Sequence, residues 1–366
     1  MNREWVVDVV ARLPQGLVSR AWGWVARRRH PRAGVEALKR TFVAATGIDM
    51  REAAEPIGSY QTLEELFTRT LKSGSRRVDP EPHAVVCPVD GAVGACGVVR
   101  EGIALQVKGR SYPVAKLLGS AAEASRYEGG YYATFYLSPK DYHRIHSPLA
   151  GTVSHARVIP GSLMPVFHES LSRVDELFAR NERLITYVDH EQAGRVAVVK
   201  VGATLVGRIC VIYAASLRSN DPKVERLERE YSPPIRVYKG GELGAFELGS
   251  TVVLFFEKDA IRPSPIEAGE SVRLGERIGT LRAAKSEKAS PAEESAKKAP
   301  PKKSSASAES TSKKSSSKKV AKKKTAKTKA ATKKTGQAKA TKKTTTKKKT
   351  TKKKASSSGN RAKKKT

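Results

Sequence analysis

A Gly-Ser dipeptide at the start of an apolar run is the segment of this chain best suited to chemistry on its own backbone. The sequence reads FELGST over residues 246–251 and continues as VVLFF over residues 252–256. Glycine places no side chain beside its carbonyl, so the Ser250 hydroxyl could attack the carbonyl carbon of Gly249. If the Gly249–Ser250 bond breaks in this way, the new N-terminus can become a pyruvoyl group, a carbonyl cofactor made from the chain itself.

A serine nucleophile needs a base, and histidine is the side chain best suited to proton transfer near neutral pH. Two of the seven histidines, His143 and His146, lie three residues apart in the segment SPKDYHRIHSP over residues 138–148. This spacing could also provide half of a metal site, but no cysteine or carboxylate cluster with ligand spacing accompanies it. The segment therefore favours proton transfer, with no metal. The structural alternative for His143 is a surface histidine packed on Tyr142.

The third polar feature is Asp90, which lies in the sequence PVDG over residues 88–91. Asp-Gly is a turn signal in its own right, and as an isolated dipeptide it favours a structural role. The alternative is chemical, because a histidine base needs a group that fixes its tautomer and orientation.

The sequence predicts helices and strands that must position these residues. Apolar residues recur at helical spacing over 6–25 and 35–45, and Thr62 with Glu65 forms a capping box before another apolar stripe. From Ala84 onward, short branched-aliphatic runs alternate with Gly and Pro, which predicts antiparallel strands. The predicted strands are 85–86, 131–137, 151–159, 195–201, 205–213 and 251–256, and residues 170–183 form the one predicted helix or lid among them. The predicted class is α+β, with N-terminal helices followed by a mostly antiparallel β-rich core.

Basic charge is concentrated at the C-terminus. Residues 285–366 contain 30 basic and 4 acidic residues, whereas the preceding part contains 39 and 32. The tail has no aromatic residue and is rich in Lys, Ala, Ser and Thr, so it is expected to be disordered. We predict three parts: a helical, membrane-associating region over 1–75, a β-rich core over 76–284 and a disordered tail over 285–366. For the tail, a solvated polycation near an anionic surface is favoured over a nucleic-acid-binding segment.

The N-terminal region has features of an interfacial segment. Trp5, Trp22 and Trp24 are the only tryptophans, and three arginines follow at 27–29. This combination on short amphipathic helices suits a bilayer interface, although a helical hairpin packed on the protein's own core is the alternative. No run approaches the ~20 apolar residues that span a bilayer, and no secretory signal is present. Three cysteines without a CxxC pair fit a reducing compartment. We expect a peripheral protein on the cytoplasmic face of the cell membrane.

Taken in order, the Asp-Gly turn, the YHRxH segment and LGST before an apolar strand resemble the phosphatidylserine decarboxylases. The likeness extends over roughly residues 35–281, and FTR at 67–69, NER at 181–183 and GERIG at 275–279 also look like family segments. The N-terminal helices resemble those of the longer, membrane-associated bacterial form. The Lys-rich tail lies outside the resemblance.

The resemblance implies roles for individual residues. Asp90, His146 and Ser250 would form a self-processing triad, in which His146 takes the Ser250 proton while Asp90 holds the imidazole. Cleavage would leave a pyruvoyl group at residue 250, which forms a Schiff base with the amine of phosphatidylserine and accepts electrons as CO2 leaves. His143 would assist decarboxylation or supply the proton.

The resemblance also implies partners and an outcome. The product would be phosphatidylethanolamine, made in phospholipid biosynthesis. The partners would be phosphatidylserine in an anionic membrane, the cleaved β and α chains as a heterodimer, and a second copy of that heterodimer.

Two other classes of function stay open at this point. A lipid hydrolase could use the same Asp, His and Ser, but it usually needs a Gly-x-Ser-x-Gly elbow, which is absent around Ser250. A nucleic-acid-binding protein would depend on the basic tail, because the first 284 residues carry no recognisable nucleic-acid motif.

Overall fold

The computed structural model describes residues 15–107, 110–166, 168–204, 208–220, 226–247 and 251–282. Three predicted features lie outside the described residues. They are the first amphipathic stretch with Trp5, the Gly249–Ser250 junction and the tail over 285–366.

Three of the described α-helices precede the strands, and four helices of four or five residues lie among the strands. They are α1 (Gln15–Ala26), α2 (Arg32–Thr46), α3 (Leu63–Phe67), α4 (Val114–Leu118), α5 (Ala121–Ser125), α6 (His168–Leu171) and α7 (Leu177–Arg180), with a 3-10 turn at Ile57–Ser59. Helix α2 ends at Gly47, whose φ of 76° lies in the left-handed region that glycine adopts at little cost. The predicted cap at Thr62 is confirmed, because Thr62 Oγ1 accepts from the Glu65 N–H at 3.0 Å. The return bond of the capping box is shifted by one residue, since the Glu65 carboxylate accepts from the Gln61 N–H at 2.7 Å.

The N-terminal helices pack on one another through a small apolar cluster. Its buried members are Ala26, Leu63, Leu66 and Phe67, and Trp22 packs against them. Trp24 instead is 57% exposed, with the Arg28 guanidinium 3.4 Å from the ring centroid. The alternative of packing on the protein's own chain therefore holds for Trp22, while Trp24 is accessible. Within the described part of the chain, no helix has the length and apolar character needed to cross a membrane.

Sixteen strands follow one another through the rest of the described chain. They are β1 (Ala84–Val86), β2 (Gly91–Val98), β3 (Ile103–Val107), β4 (Arg110–Pro113), β5 (Tyr131–Tyr136), β6 (Arg144–His146), β7 (Gly151–Ile159), β8 (Arg183–His190), β9 (Gly194–Val201), β10 (Ile209–Val211), β11 (Leu227–Val237), β12 (Glu242–Phe246), β13 (Thr251–Phe256), β14 (Ile261–Pro263), β15 (Ser271–Val272) and β16 (Arg277–Leu281). The strands named here pair only in antiparallel fashion, so the predicted α+β class with an antiparallel core is confirmed.

One predicted element is wrong. Residues 170–183 do not form a single helix, because α6 and α7 are separate one-turn helices. Glu176, directly before α7, has a φ of 55°, a left-handed conformation that a right-handed helix cannot pass through. The short helices α4 and α5 were not predicted.

The main sheet has eight strands in the order β11-β7-β8-β9-β13-β5-β2-β15, and a second sheet has the order β10-β12-β6. Strand β13 lies at the centre of the main sheet, where Thr251 is opposite Tyr136 of β5 and Val201 of β9. The five apolar residues of β13 after Thr251 are fully buried. Each such side chain contributes roughly 1.5–3 kcal/mol on burial, which makes a slip in register unfavourable.

The topology brings the ends of four strands close to one another. Strand β5 leads through residues 137–143 into β6, and β12 precedes β13 in the sequence. Because β5 pairs with β13 and β6 pairs with β12, the histidine segment lies beside the end of β12 and the start of β13.

Candidate active site

Backbone contacts bring the three sequence motifs together. The His146 N–H donates to the carbonyl of Pro88 at 2.9 Å, which joins the histidine strand to the Asp-Gly turn. The Phe246 N–H donates to the carbonyl of His143 at 3.0 Å, which joins the end of β12 to the same histidine segment. At the start of β2, a Cβ at Gly91 would lie 2.3 Å from the Tyr136 carbonyl oxygen, so only glycine permits this approach of β2 to β5.

His146 is a buried, neutral imidazole with one free nitrogen. Its Nδ1 lies 2.9 Å from the carbonyl oxygen of Gly240, and because a carbonyl can only accept, Nδ1 carries the proton. In the neutral imidazole, which burial favours, Nε2 is therefore unprotonated, and it is buried with no hydrogen-bond partner among the described residues. Burial lowers the pKa of His146, against the Gly240 hydrogen bond and the negative charges of Glu242 and Asp90. This arrangement can accept a proton from a nearby hydroxyl.

His143 has the same arrangement in a more apolar setting. It is fully buried, and its ring packs on Phe67 with centroids 4.0 Å apart. Its Nδ1 lies 2.9 Å from the carbonyl oxygen of Asp141, and its buried Nε2 has no partner among the described residues. Burial lowers the pKa of His143 to about 3. The alternative of a surface histidine packed on Tyr142 is thus wrong, because burial is complete and the ring neighbour is Phe67.

Asp90 is brought to the site but does not contact His146 through a hydrogen bond. Arg76 Nε donates to both carboxylate oxygens, at 2.8 Å and 2.9 Å, and the Leu274 N–H donates to Oδ1 at 2.9 Å. The Arg76 side chain also pairs with Glu52 at 2.7 Å. The guanidinium and the Leu274 amide thus occupy the carboxylate, and the carbonyl of Gly240 takes the orienting position that the resemblance implied for Asp90. What Asp90 supplies to His146 is a nearby negative charge.

A cavity of about 430 Å³ lies beside this turn. Residues of the Asp-Gly turn, of the histidine segment and of the N-terminal helical region line it, among them Arg69, Arg76, Asp90, Tyr136, Ser138 and Tyr142. Tyr142 also packs on His146, with ring centroids 5.8 Å apart, and burial raises the pKa of Tyr142 to about 12. In the described ranges, no group of three His, Cys, Asp or Glu side chains is arranged to hold a metal ion.

Glu247 is the last described residue before the junction at 248–250. Its N–H donates to the carbonyl of Arg208 at 2.9 Å, and its carboxylate accepts from Nη1 of Arg27, the residue after α1, at 3.2 Å. Burial raises the pKa of Glu247 to about 7. A contact between an N-terminal helix and the residue preceding the junction is a feature that no sequence pattern indicated.

A sequence model of the phosphatidylserine decarboxylase family matches residues 63–280. The phosphatidylserine decarboxylase proenzyme of Anaeromyxobacter sp. (strain K) is 45% identical over 281 residues, covering 76% of this chain and 99% of the relative. The proenzymes of Myxococcus xanthus (strain DK1622) and Brevibacillus brevis (strain 47) are 42% and 39% identical, each covering 77% of this chain and 100% of the relative. The chain belongs to the phosphatidylserine decarboxylase family.

In this phosphatidylserine decarboxylase family member, the resemblance first drawn from short motifs is confirmed over the range that contains all three of them. The predicted residues Asp90, His143 and His146 lie at one site, whereas Gly249 and Ser250 lie outside the described residues. Sequence reasoning missed Arg76 and Gly240. Arg76 could be recognised as a partner only if the buried position of Asp90 were already known. Gly240 acts through its backbone carbonyl, which no pattern of side chains can indicate.

Three polar atoms of the motif residues are buried without a partner among the described residues. They are Thr251 Oγ1 and the Nε2 atoms of His143 and His146. Buried polar groups are usually paired, so each of these atoms can bind a further polar group. The Thr251 hydroxyl can donate to a carbonyl group, and the two unprotonated Nε2 atoms can accept from a hydroxyl or ammonium group.

Proposed function

We propose that this protein is a self-processing phosphatidylserine decarboxylase. It cuts its chain between Gly249 and Ser250, converts Ser250 into a pyruvoyl group and then turns phosphatidylserine into phosphatidylethanolamine and CO2, as a step of phospholipid biosynthesis. The observation that carries the proposal is the free, buried Nε2 of His146, on the strand paired with the one that leads into residues 248–250.

The chain's own residues perform the cleavage. Nε2 of His146 accepts the Ser250 hydroxyl proton, and the oxygen attacks the carbonyl carbon of Gly249. The bond from this carbon to the nitrogen of residue 250 breaks, leaving an ester and an amine. Loss of the Cα proton of residue 250 with rupture of its Cβ–O bond releases the carboxylate of Gly249. Water then replaces the nitrogen, which leaves as ammonia, and a pyruvoyl group remains.

His146 becomes positively charged when it accepts the proton, and this charge forms in a buried environment. The carboxylates of Asp90 and Glu242 raise the pKa of His146, which opposes the effect of burial. Asp90 is therefore proposed to act on the base through its charge, while the Gly240 carbonyl holds the tautomer. Arg76 holds Asp90 in its position.

The pyruvoyl group, once formed, supplies an electron sink for the electrons released as CO2 leaves. His143 is proposed to act in this second reaction. With a pKa of about 3, its imidazole is neutral at pH 7, so Nε2 can accept a hydrogen bond or a proton. It could return a proton to the product only after the pKa rises, which a bound anion nearby would cause.

A denaturing gel and intact mass measurement test the processing. We expect the wild-type protein to give one fragment ending at Gly249 and another that begins with pyruvoyl and is lighter by one ammonia than a fragment beginning with Ser250. Ser250→Ala and His146→Ala are expected to stay full length, and His143→Ala to be cut but inactive on phosphatidylserine. Active wild-type protein that remains a single uncut chain would reject the proposal and favour the hydrolase alternative.

The membrane is the proposed location of the substrate, at the cytoplasmic face. Exposed Trp24 with Arg28 stacked on its ring is a combination suited to the lipid interface, and each Lys of the tail near an anionic leaflet contributes roughly 1 kcal/mol. Removing residues 285–366 should leave self-cleavage intact and weaken binding to phosphatidylserine vesicles at low salt. Equal vesicle binding by both proteins would contradict this role, and retention of nucleic acid only by the full chain would favour the nucleic-acid alternative for the tail.

The proposed assembly is a heterodimer of the two cleaved chains that pairs with a second copy. Sedimentation of the processed protein, followed by a denaturing gel of the same sample, tests both the association of the two cleaved chains and the pairing of two heterodimers. Separation of the two fragments without denaturant would contradict the heterodimer, and a mass equal to one processed chain would contradict the pairing.

A further inference from the structure

Arg69 is a buried cation in the cavity beside the active site, and part of it has no partner. The side chain follows α3 and is 4% exposed. Its Nη2 donates to the carbonyl oxygens of Lys140 at 3.0 Å and Asp141 at 3.3 Å. Its Nε and Nη1 are buried and donate to no described residue, although Arg69 lines the 430 Å³ cavity.

An unpaired buried guanidinium is unfavourable in a folded protein. Burial lowers the pKa of Arg69, although the nearby Tyr60, Asp90 and Glu52 oppose this effect. Arg76 and Arg273, which line the same cavity, form ion pairs with Glu52, whereas Arg69 forms none with any described carboxylate. Buried charges in proteins are paired or bind an ion, so the free N–H groups of Arg69 indicate a bound anion.

The position of Arg69 connects this anion to the reaction. The carbonyls that Nη2 holds belong to the loop that runs from β5 to His143. Tyr136, at the end of β5, lines the same cavity and is paired with Thr251, the residue after Ser250. An anion in the cavity would therefore lie near the strand end to which the reactive group is attached.

We propose that Arg69 binds the phosphodiester of the substrate headgroup and not its carboxylate; this inference rests on the proposed decarboxylase function. The headgroup carries both anions, separated by a few covalent bonds. A guanidinium on the carboxylate would stabilise the ground state, because the negative charge leaves the carboxyl carbon as CO2 forms. A guanidinium on the phosphodiester holds the substrate equally before and during the reaction. Arginine is also well suited to phosphate, which accepts several N–H groups at once.

The test uses Arg69→Met and Arg69→Lys in the processed enzyme, assayed with phosphatidylserine in mixed micelles. Loss of charged hydrogen bonds is expected to raise KM about 10- to 100-fold in Arg69→Met with a smaller effect on kcat, and Arg69→Lys should recover part of the affinity. Glycerophosphoethanolamine, which has the phosphodiester without the carboxylate, should inhibit the wild type and lose its effect on Arg69→Met. Inhibition by L-serine, which has the carboxylate without the phosphodiester, should not change.

Arg183→Met is the matched control for the loss of a buried arginine. Arg183 is also 4% exposed, but its three nitrogens donate to the carbonyls of Leu117, Asn181 and Lys116. This variant should be less stable without changing the ratio of the two inhibition constants. An Arg69→Met variant that behaves in the same way, with lower stability and unchanged KM, would overturn the binding role in favour of a structural one.

A binding experiment tests this inference separately from the proposed function. Full-length Ser250→Ala is titrated with glycerophosphoethanolamine, L-serine and inorganic phosphate by calorimetry, which requires no self-cleavage. Binding of glycerophosphoethanolamine that Arg69→Met abolishes would support the anion site even if the wild type were never cut. A loss confined to L-serine would place the guanidinium on the carboxylate and overturn the proposal. Tighter binding of inorganic phosphate than of glycerophosphoethanolamine would replace the lipid headgroup with free phosphate and overturn it as well.

Discussion

Replacing Asp90 with asparagine tests what this carboxylate holds in place. Arg76 and Asp90 are 9% and 8% exposed, so Asp90→Asn leaves a desolvated guanidinium without its main counter-charge. Removing one partner of a buried ion pair costs about 3–5 kcal/mol. Arg76 keeps Glu52 at 2.7 Å, which places the expected loss near the lower end, at about 3 kcal/mol. For a domain of this size, that corresponds to a fall in Tm of roughly 6–12 °C.

The measurement is chemical denaturation in the Ser250→Ala background, where the chain stays in one piece. A double-mutant cycle with Arg76→Met isolates the pair, because the double variant leaves neither Arg76 nor Asp90 unpaired. We expect the double variant to be more stable than the sum of the single changes predicts, by about 2 kcal/mol. Asp79→Asn is the control, since Asp79 pairs with Arg277 at 2.8 Å where the arginine is 43% exposed, and this change should cost below about 1 kcal/mol.

Two results would refute this reasoning. Additive losses in the cycle would mean that Arg76 does not fix Asp90, despite the short distances between them. An Asp90→Asn variant with Ser250 intact that cuts itself at the wild-type rate would remove Asp90 from the mechanism, because a neutral amide cannot raise the pKa of His146.

Three further changes test the surroundings of the site. Gly91→Ala should prevent folding or cleavage, since its Cβ would lie 2.3 Å from the Tyr136 carbonyl oxygen. Gly58→Ala is the control, because its Cβ would have no atom within 4 Å, and it should keep the soluble yield of the wild type. Equal soluble yields of the two variants would contradict the close approach at Gly91. His143 has a pKa of about 3 in the folded state and of 6.5 in the unfolded state, so the unfolded chain binds more protons between these values. The free energy of unfolding therefore falls as pH drops, by up to about 1.4 kcal/mol per pH unit. Denaturation at pH 5 and 7 should show a weaker pH dependence in His143→Phe, and an unchanged dependence would refute the assignment. Burial lowers the pKa of Lys200 from 10.5 to about 7, so the contribution of Lys200 to stability is lost as pH falls from 10.5 to 7. Lys200→Met should therefore be more stable than the wild type at pH 7, and its stability should change less between pH 7 and 10. A variant that is less stable at pH 7 would contradict this.

The strands and the capping box could be predicted because their causes are local. The apolar run at 251–256 is buried along its whole length in β13, and Thr62 caps α3 through atoms three residues away. A common site for the Asp-Gly turn, the histidine segment and LGST was predicted from their resemblance to a family. The approach of the first two to the start of β13 follows physically from three antiparallel pairings, of β2 with β5, of β5 with β13 and of β6 with β12.

The partners within the site could not be predicted, because they depend on contacts distant in sequence. The imidazole of His146 is held by a backbone carbonyl 94 residues away, at Gly240, and every non-terminal residue offers such an acceptor. Asp90 accepts from Arg76 and from the Leu274 amide, 184 residues away. The prediction of a helix or lid over 170–183 is wrong as a continuous helix for a local reason, since Glu176 has a left-handed backbone.

The burial of His146 raises a question about its proposed role as a base, because a lowered pKa makes an imidazole a weaker proton acceptor. Self-cleavage occurs once in the life of each chain, so a slow step is tolerable there in a way that it is not for a reaction repeated on many substrates. Burial also has a benefit, because a lowered pKa increases the fraction of molecules in which the imidazole is neutral and its Nε2 lone pair is available. The same low pKa that slows each proton transfer thus keeps the base in its active form, and the charges of Asp90 and Glu242 limit the loss of basicity when the proton arrives.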